Sequence, residues 1–220
     1  MAEYKIIIKE ILNGKSLARS LVNAFFAEII KEKTWLSKDM RVLELGAESA
    51  SHQKFFPKEW RLYSSNYKKI SESDMIIDAE NKFPLADNEF NGVVCLNTVY
   101  AIKNYNNCFS ESLRVAENFI LFHAPLIQAI IPHPLDFTRL TEDGIKSLIG
   151  ELKAKFKVEE FEIMPVGGSF SSAVSLIDPY LKFRILRLPV YLTAIFLDRL
   201  DKIIKRKCPM MYLILIKKHE

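Results

Sequence analysis

The sequence predicts an α/β domain: a doubly wound, mostly parallel seven-stranded sheet with an antiparallel last strand and a helical insertion before it. Three observations lead there. Strand-like and helix-like stretches alternate along most of the chain. Several strand-like runs, such as "GVVCLNTV" and "MMYLILIKK", are apolar almost without a break, as expected when both faces of a sheet are covered. Roughly forty mainly helical residues separate the last two strands.

Each element has its own signal. "SLARSLVNAFFAEII" spaces Leu17, Leu21, Phe25 and Ile29 on one helical face, and Ser16 suits its N-cap. "MRVLELG" reads as a buried strand, and "SHQKFF" as a short helix ended by Pro57. "WRLYSSN" and "DMIIDAE" are the second and third strands, and the proline-containing "NKFPLADNEFN" is a loop. "GVVCLNTV" is the fourth strand, "NYNNCFSESLRVA" a helix and "NFILFHAPL" the fifth strand. Thr141 caps a helix with Ile145, Leu148, Ile149 and Leu152 on one face, and "KVEEFEIMPV" and "MMYLILIKK" are the last two strands. One domain over 1–220 is expected: an N-terminal helical segment 1–37, a core 38–176, a helical cap 177–207 and a last strand 208–220.

Composition narrows the class. With 49% hydrophobic and 26% charged residues in 220, the chain is long enough to fill one core and too apolar to be disordered. Cys95, Cys108 and Cys208 are odd in number and far apart, which argues against a disulfide framework or metal cluster and for a reducing, cytoplasmic setting. "MAEYKIIIKEILNGK" is a poor signal peptide, and no apolar run is long enough to predict a spanning helix. The net charge of +4 is uneven: between Tyr180 and Lys207, eight basic residues face only Asp198 and Asp201.

Open α/β sheets bind ligands beyond the carboxyl ends of their strands. Glu44, Gly46, Ala47 and Glu48 follow the first strand, and Ser65 and Asn66 end the second. Asp78 and Ala79 follow the third, Asn97, Thr98 and Tyr100 the fourth, and His123 ends the fifth. "VLELGAESASHQKFF" begins like a nucleotide-binding turn. A G-x-G-x-G loop, however, would carry glycines where Glu48 and Ala50 stand. A dinucleotide would set its pyrophosphate beside Glu44 and Glu48. Two like charges about 5 Å apart at an effective dielectric near 20 repel by roughly 3 kcal/mol, on the order of a hundredfold in affinity. That disfavours NAD and ATP. S-adenosylmethionine has no phosphate and carries a sulfonium and an ammonium, so a carboxylate-bearing loop suits it.

At these residues the sequence resembles the class I, Rossmann-like S-adenosylmethionine-dependent methyltransferases, type 11-like, with a degenerate glycine loop. "RVLELGA" is similar to the family's first motif, and "DAENKFPLADNEFNGVVCLNTVYAI" to its third- and fourth-strand block. "HPLDFTRLTEDGIKSLI" is similar to a segment after the fifth strand in some members. The resemblance implies S-adenosylmethionine as cofactor, with Glu44 and the Gly46–Ala47 turn toward its methionine part; Glu48 is a further candidate cofactor-binding residue. Asn66 would face the ribose, Asp78 and Ala79 the adenine, and Asn97 the region under the sulfonium. The chain departs from the family pattern at the ribose position, where Asn66 stands for an acid, and at Asn91 and Ala116–Asn118.

The acceptor side is less explicit. Tyr100, Asp136 and Arg139 are candidate substrate contacts; an Asp–Arg pair shaping the loop is the competing reading of the last two. His133 and His123 are candidate general bases, since a histidine can take a proton near neutral pH; His52 and His219 read as surface residues. The expected activity is methyl transfer to a small or lipid-linked metabolite. A catalytically inactive methyltransferase-fold binding or scaffold protein is the alternative. The basic segment reads as a cap packed over the substrate side, or more sharply as a peripheral contact with anionic membrane through 180–207. A nucleic-acid partner is not expected, because the cluster lacks interleaved stacking aromatics. The sequence does not specify an oligomeric state.

Overall fold

The sheet buries residues on both of its faces, and the two faces carry separate apolar clusters. The computed structural model describes residues 2–37, 39–47, 53–70, 75–131, 135–181, 184–204 and 208–219. Seven strands form one sheet: β1 (Met40–Leu45), β2 (Trp60–Asn66), β3 (Met75–Ile76), β4 (Phe90–Cys95), β5 (Ala116–Pro125), β6 (Val158–Val166) and β7 (Met211–Lys218). Their order is β3-β2-β1-β4-β5-β7-β6. The first five run parallel, and β7 lies antiparallel between β5 and β6. The expected doubly wound sheet with its antiparallel last strand is therefore what the chain forms. The order reverses between β1 and β4, which opens a crevice at their carboxyl ends.

The continuous apolar runs follow from this layering. Leu43, Ile120, Phe122, Ile214 and Ile216 point to one cluster, where α3 (Tyr105–Val115) contributes Phe109 and α4 (Glu142–Lys153) contributes Ile145 and Ile149. Val42, Phe119, Leu121, Leu213 and Leu215 point to the other, beneath α1 (Ala2–Leu12) and α2 (Leu17–Glu32). Fully burying one such side chain contributes about 1.5–3 kcal/mol. Ser16 caps α2 by accepting from the Arg19 amide at 3.3 Å, as its sequence position predicts. The N-terminal apolar run is itself a helix. In it Ile7 and Ile11 are buried, and the buried Glu10 binds Lys54 and accepts from Asn23 Nδ2 at 2.8 Å.

The helical stretch after β6 starts earlier than the expected boundary at 177. α5 (Ser169–Ile177) is followed by a 3-10 turn at Asp178–Tyr180, α6 (Arg184–Leu197) and α7 (Arg199–Ile204). Gly167, at φ +74°, turns the chain out of β6. Two carboxylates from the α6–α7 junction then cap α5: Asp198 accepts from the Phe170 and Ser171 amides at 2.9 and 3.0 Å, and Asp201 from Ser169 at 2.6 Å. A side chain on Gly168 would occupy the space these carboxylates fill. Such capping contributes about 1 kcal/mol and fastens the cap to the core. Of "SHQKFF", residues 53–56 are described, and Gln53–Phe55 is a single 3-10 turn before Pro57.

Candidate active-site crevice

At the end of β1 the chain must turn sharply, and Gly46 does so at φ +70°. A Cβ there would lie 2.3 Å from Thr98 Oγ1, so the β4 end packs directly on the turn. The Gly46 and Ala47 amides both donate to the Ser65 carbonyl, at 2.9 and 3.2 Å. Behind the turn Glu44 is fully buried and accepts from Gln53 Nε2 at 2.6 Å, while Gln53 also reaches Ser64 Oγ at 3.2 Å. Asn66, 6% exposed, accepts the Ile77 amide at its carbonyl, 3.0 Å away. Asp78 accepts from the Glu80 amide at 3.0 Å and from Asn81 Nδ2 at 2.8 Å, so both carboxylate oxygens hold its own turn. Ala79 packs against the core. This edge of the crevice is internally bonded.

The neighbouring edge is different. Asn97 ends β4 at φ +58°, in the left-handed region. Its amide donates to His123 Nδ1 at 3.2 Å, whereas its buried Nδ2 has no hydrogen-bond partner among the described residues. With Nδ1 accepting, the neutral imidazole carries its proton on Nε2, which makes His123 a donor at that nitrogen. Beside these two residues opens a cleft of about 570 Å³. Its walls come from the α1–α2 junction, from Tyr100, from the segment after β5 and from the end of α5.

Several of those wall residues are polar and unmatched. Gln128 Nε2 and Asp178 Oδ1 are buried without partners among the described residues. Burial pushes the Asp178 carboxyl above its usual 3.8, against the pull of Arg187. Lys15 and Arg19 also line the cleft, half-buried, and neither forms an ion pair among the described residues. Cys95 is no nucleophile: its contact with Cys108 and its complete burial hold the thiol well above the usual range.

Of the candidates read from the sequence, Asn97, Tyr100 and His123 meet at the cleft, with Gly46 adjoining through Thr98. Asp136 and Arg139 instead form a two-pronged ion pair with each other, and Asp136 also accepts the Ile131 amide at 2.9 Å. Burial opposes ionisation of Asp136, but the hydrogen bonds from Arg139 and Ile131 outweigh it and hold the carboxyl below 3.8. Neither residue is among those lining the cleft. Glu48, His52 and His133 lie outside the described residues. Lys15, Arg19, Gln128 and Asp178 were not legible as site residues. Lys15 and Arg19 flank an ordinary N-cap, and Asp178 opens what reads as the cap segment. Among the described residues no group of three His, Cys, Asp or Glu is arranged to hold a metal ion.

No family model matches the chain, and no curated protein matches it. Solved structures do. An S-adenosylmethionine-dependent methyltransferase from Archaeoglobus fulgidus aligns over 98% of this chain and 100% of its own, with TM-score 0.56 and 15% identity. The carbon methyltransferase CurJ aligns over 94% of this chain and 56% of its own, with TM-score 0.57 and 11% identity. The (4+2)-cyclase SpnF aligns over 88% and 80%, with TM-score 0.54 and 16% identity. The chain has the Rossmann-like fold of the S-adenosylmethionine-dependent methyltransferases.

Proposed function

We propose that this chain transfers a methyl group from S-adenosylmethionine to a small or lipid-linked metabolite. The reading is carried by the cleft of about 570 Å³ beside Asn97, at the strand ends where this fold leaves its crevice. The residues present fit the methionine end of the cofactor. Gly46 gives the tight turn, Glu44 supplies a buried carboxylate behind it, and Asn97 has a donor without a partner among the described residues. Asn66 would hold the ribose, and Asp78 would face the adenine from a turn that its own carboxylate holds.

When bound, S-adenosylmethionine supplies an electrophilic methyl on sulfur. The chain's own part is to align the acceptor with that methyl and to keep water out. His123 orients Asn97 through Nδ1. Asp178, whose carboxyl burial pushes above its usual value and so makes more basic, is the group on the cleft wall suited to take the acceptor's proton.

One observation favours the alternative of a catalytically silent binding module: Thr98 packs into the space over Gly46. Calorimetric titration with S-adenosylhomocysteine separates the two. Saturable binding in the micromolar range is expected; no heat at millimolar ligand would overturn the enzyme reading.

A lipid-linked acceptor also calls for contact with a bilayer. Tyr180, Phe196 and Ile203 are 81%, 61% and 75% exposed within the basic 180–207 segment, and no helix among the described residues is long and apolar enough to cross a membrane. Co-flotation with anionic vesicles at low salt is expected, and its absence would leave a small soluble acceptor.

A further inference from the structure

We infer that the cleft holds its acceptor by an anionic group, carboxylate or phosphate, between Lys15 and Arg19. This deepens the proposed function and rests on that reading for the identity of the ligand as acceptor, though not for the anion site itself.

Both cations are half-buried, and a partly desolvated charge without a counter-ion is unfavourable unless something supplies one. Elsewhere among the described residues the half-buried cations are answered: Arg114 by Glu111 and Asp87, Arg139 by Asp136, Lys33 by Glu162, Lys217 by Glu159, Lys218 by Asn88 Oδ1 and two backbone carbonyls, and Arg187 by the Leu181 carbonyl. Lys15 and Arg19 line the cleft side by side on one junction, and no carboxylate answers them among the described residues. The cleft lining also carries two amide nitrogens without partners among the described residues, Asn97 Nδ2 and Gln128 Nε2, and both are hydrogen-bond donors. The start of the 16-residue α2, capped by Ser16, adds its positive dipole end to that wall. Among the described residues the one carboxylate lining the cleft is Asp178, which belongs to the end of α5 and forms no ion pair with Lys15 or Arg19 of the α1–α2 junction. The cleft is therefore polarised: an acceptor bearing an anionic group would seat it at Lys15 and Arg19 and leave its nucleophile toward Asp178.

The test uses the full chain, labelled with nitrogen-15, and inorganic phosphate as probe. Saturable amide shifts are expected from Lys15 to Arg19 and at the Gln128 side chain, with sodium chloride at matched ionic strength failing to reproduce them. The double variant Lys15→Gln/Arg19→Gln is expected to bind phosphate at least tenfold more weakly, about 1.4 kcal/mol, while melting at the same or a higher temperature. Shifts scattered over surface lysines, or unchanged binding in the variant, would overturn the inference. Octyl phosphate and octanoate as further probes separate the two anion chemistries; saturable binding of either at the same amides supports the site. S-adenosylhomocysteine affinity is measured on the same samples. Phosphate binding without it leaves the anion site standing and removes the methyltransferase reading. The reverse result removes only the anion site.

Discussion

Two adjoining edges of one crevice are built on opposite terms. At the ends of β1, β2 and β3, polar groups are answered within the chain: Glu44 by Gln53, Asp78 by Glu80 and Asn81, the Gly46 and Ala47 amides by Ser65. At the ends of β4, β5 and α5 they are not: Asn97 Nδ2, Gln128 Nε2 and Asp178 Oδ1 are buried without partners among the described residues, and Lys15 and Arg19 have no counter-ion there. An unpaired buried polar group costs about 1–3 kcal/mol. A marginally stable domain tolerates several of these only where something else answers them in use. The paired edge behaves as scaffold for a ligand whose shape is fixed; the unpaired edge is the one whose ligand completes it.

That contrast is most easily broken at Gly46. Gly46→Val places a branched side chain at φ +70° and against Thr98. Strain and overpacking together are expected to cost about 2–4 kcal/mol and to abolish S-adenosylhomocysteine binding. Thermal melts and calorimetry check this, and a variant that binds as well as the wild type would remove the turn from the site.

Two aspartates sharpen the contrast through pH. Asp136 is paired, and its carboxyl is held below 3.8, so its contribution is present above that value and is lost as pH falls through the lowered one. Asp136→Asn should cost about 1–3 kcal/mol at pH 7, because Arg139 and the Ile131 amide lose an ionised acceptor. Asp178 has the opposite sign. Its folded-state carboxyl is raised by burial, so stability falls as pH climbs from 3.8 through the raised value. Asp178→Asn should melt at the same or a higher temperature at pH 7 and lose that decline. Melting curves across pH 3 to 8 compare the two, and equal destabilisation by both would dissolve the distinction. The smallest effect on stability is expected from the Lys15→Gln/Arg19→Gln pair.

The sequence carried the scaffold well and the open edge poorly, for a physical reason. Apolar runs such as "GVVCLNTV" announce strands buried on both faces because each residue's burial is decided by its own element. Ser16 and Thr141 announce helix starts because a cap acts within three residues. The alignment of Gly46, Asn97 and His123 followed from strand ends alone. Asp136 and Arg139 were legible as a pair, but whether they faced each other or a ligand depended on the loop around Ile131. Lys15, Gln128 and Asp178 are brought to one cleft from three distant segments. Nothing local distinguishes an unmatched lysine from a solvated one, so only the tertiary arrangement reveals them.

The central claim, that the paired edge receives the cofactor and the unpaired edge the acceptor, with Asn97 at the boundary and turned to the cofactor, is tested most directly by mapping S-adenosylhomocysteine onto the nitrogen-15 spectrum. The account predicts saturable shifts at Gly46, Ala47 and Asn97, with Lys15, Arg19 and Ser175 little moved. Shifts concentrated from Lys15 to Arg19 and around Asp178, with Gly46 and Ala47 unmoved, would contradict it.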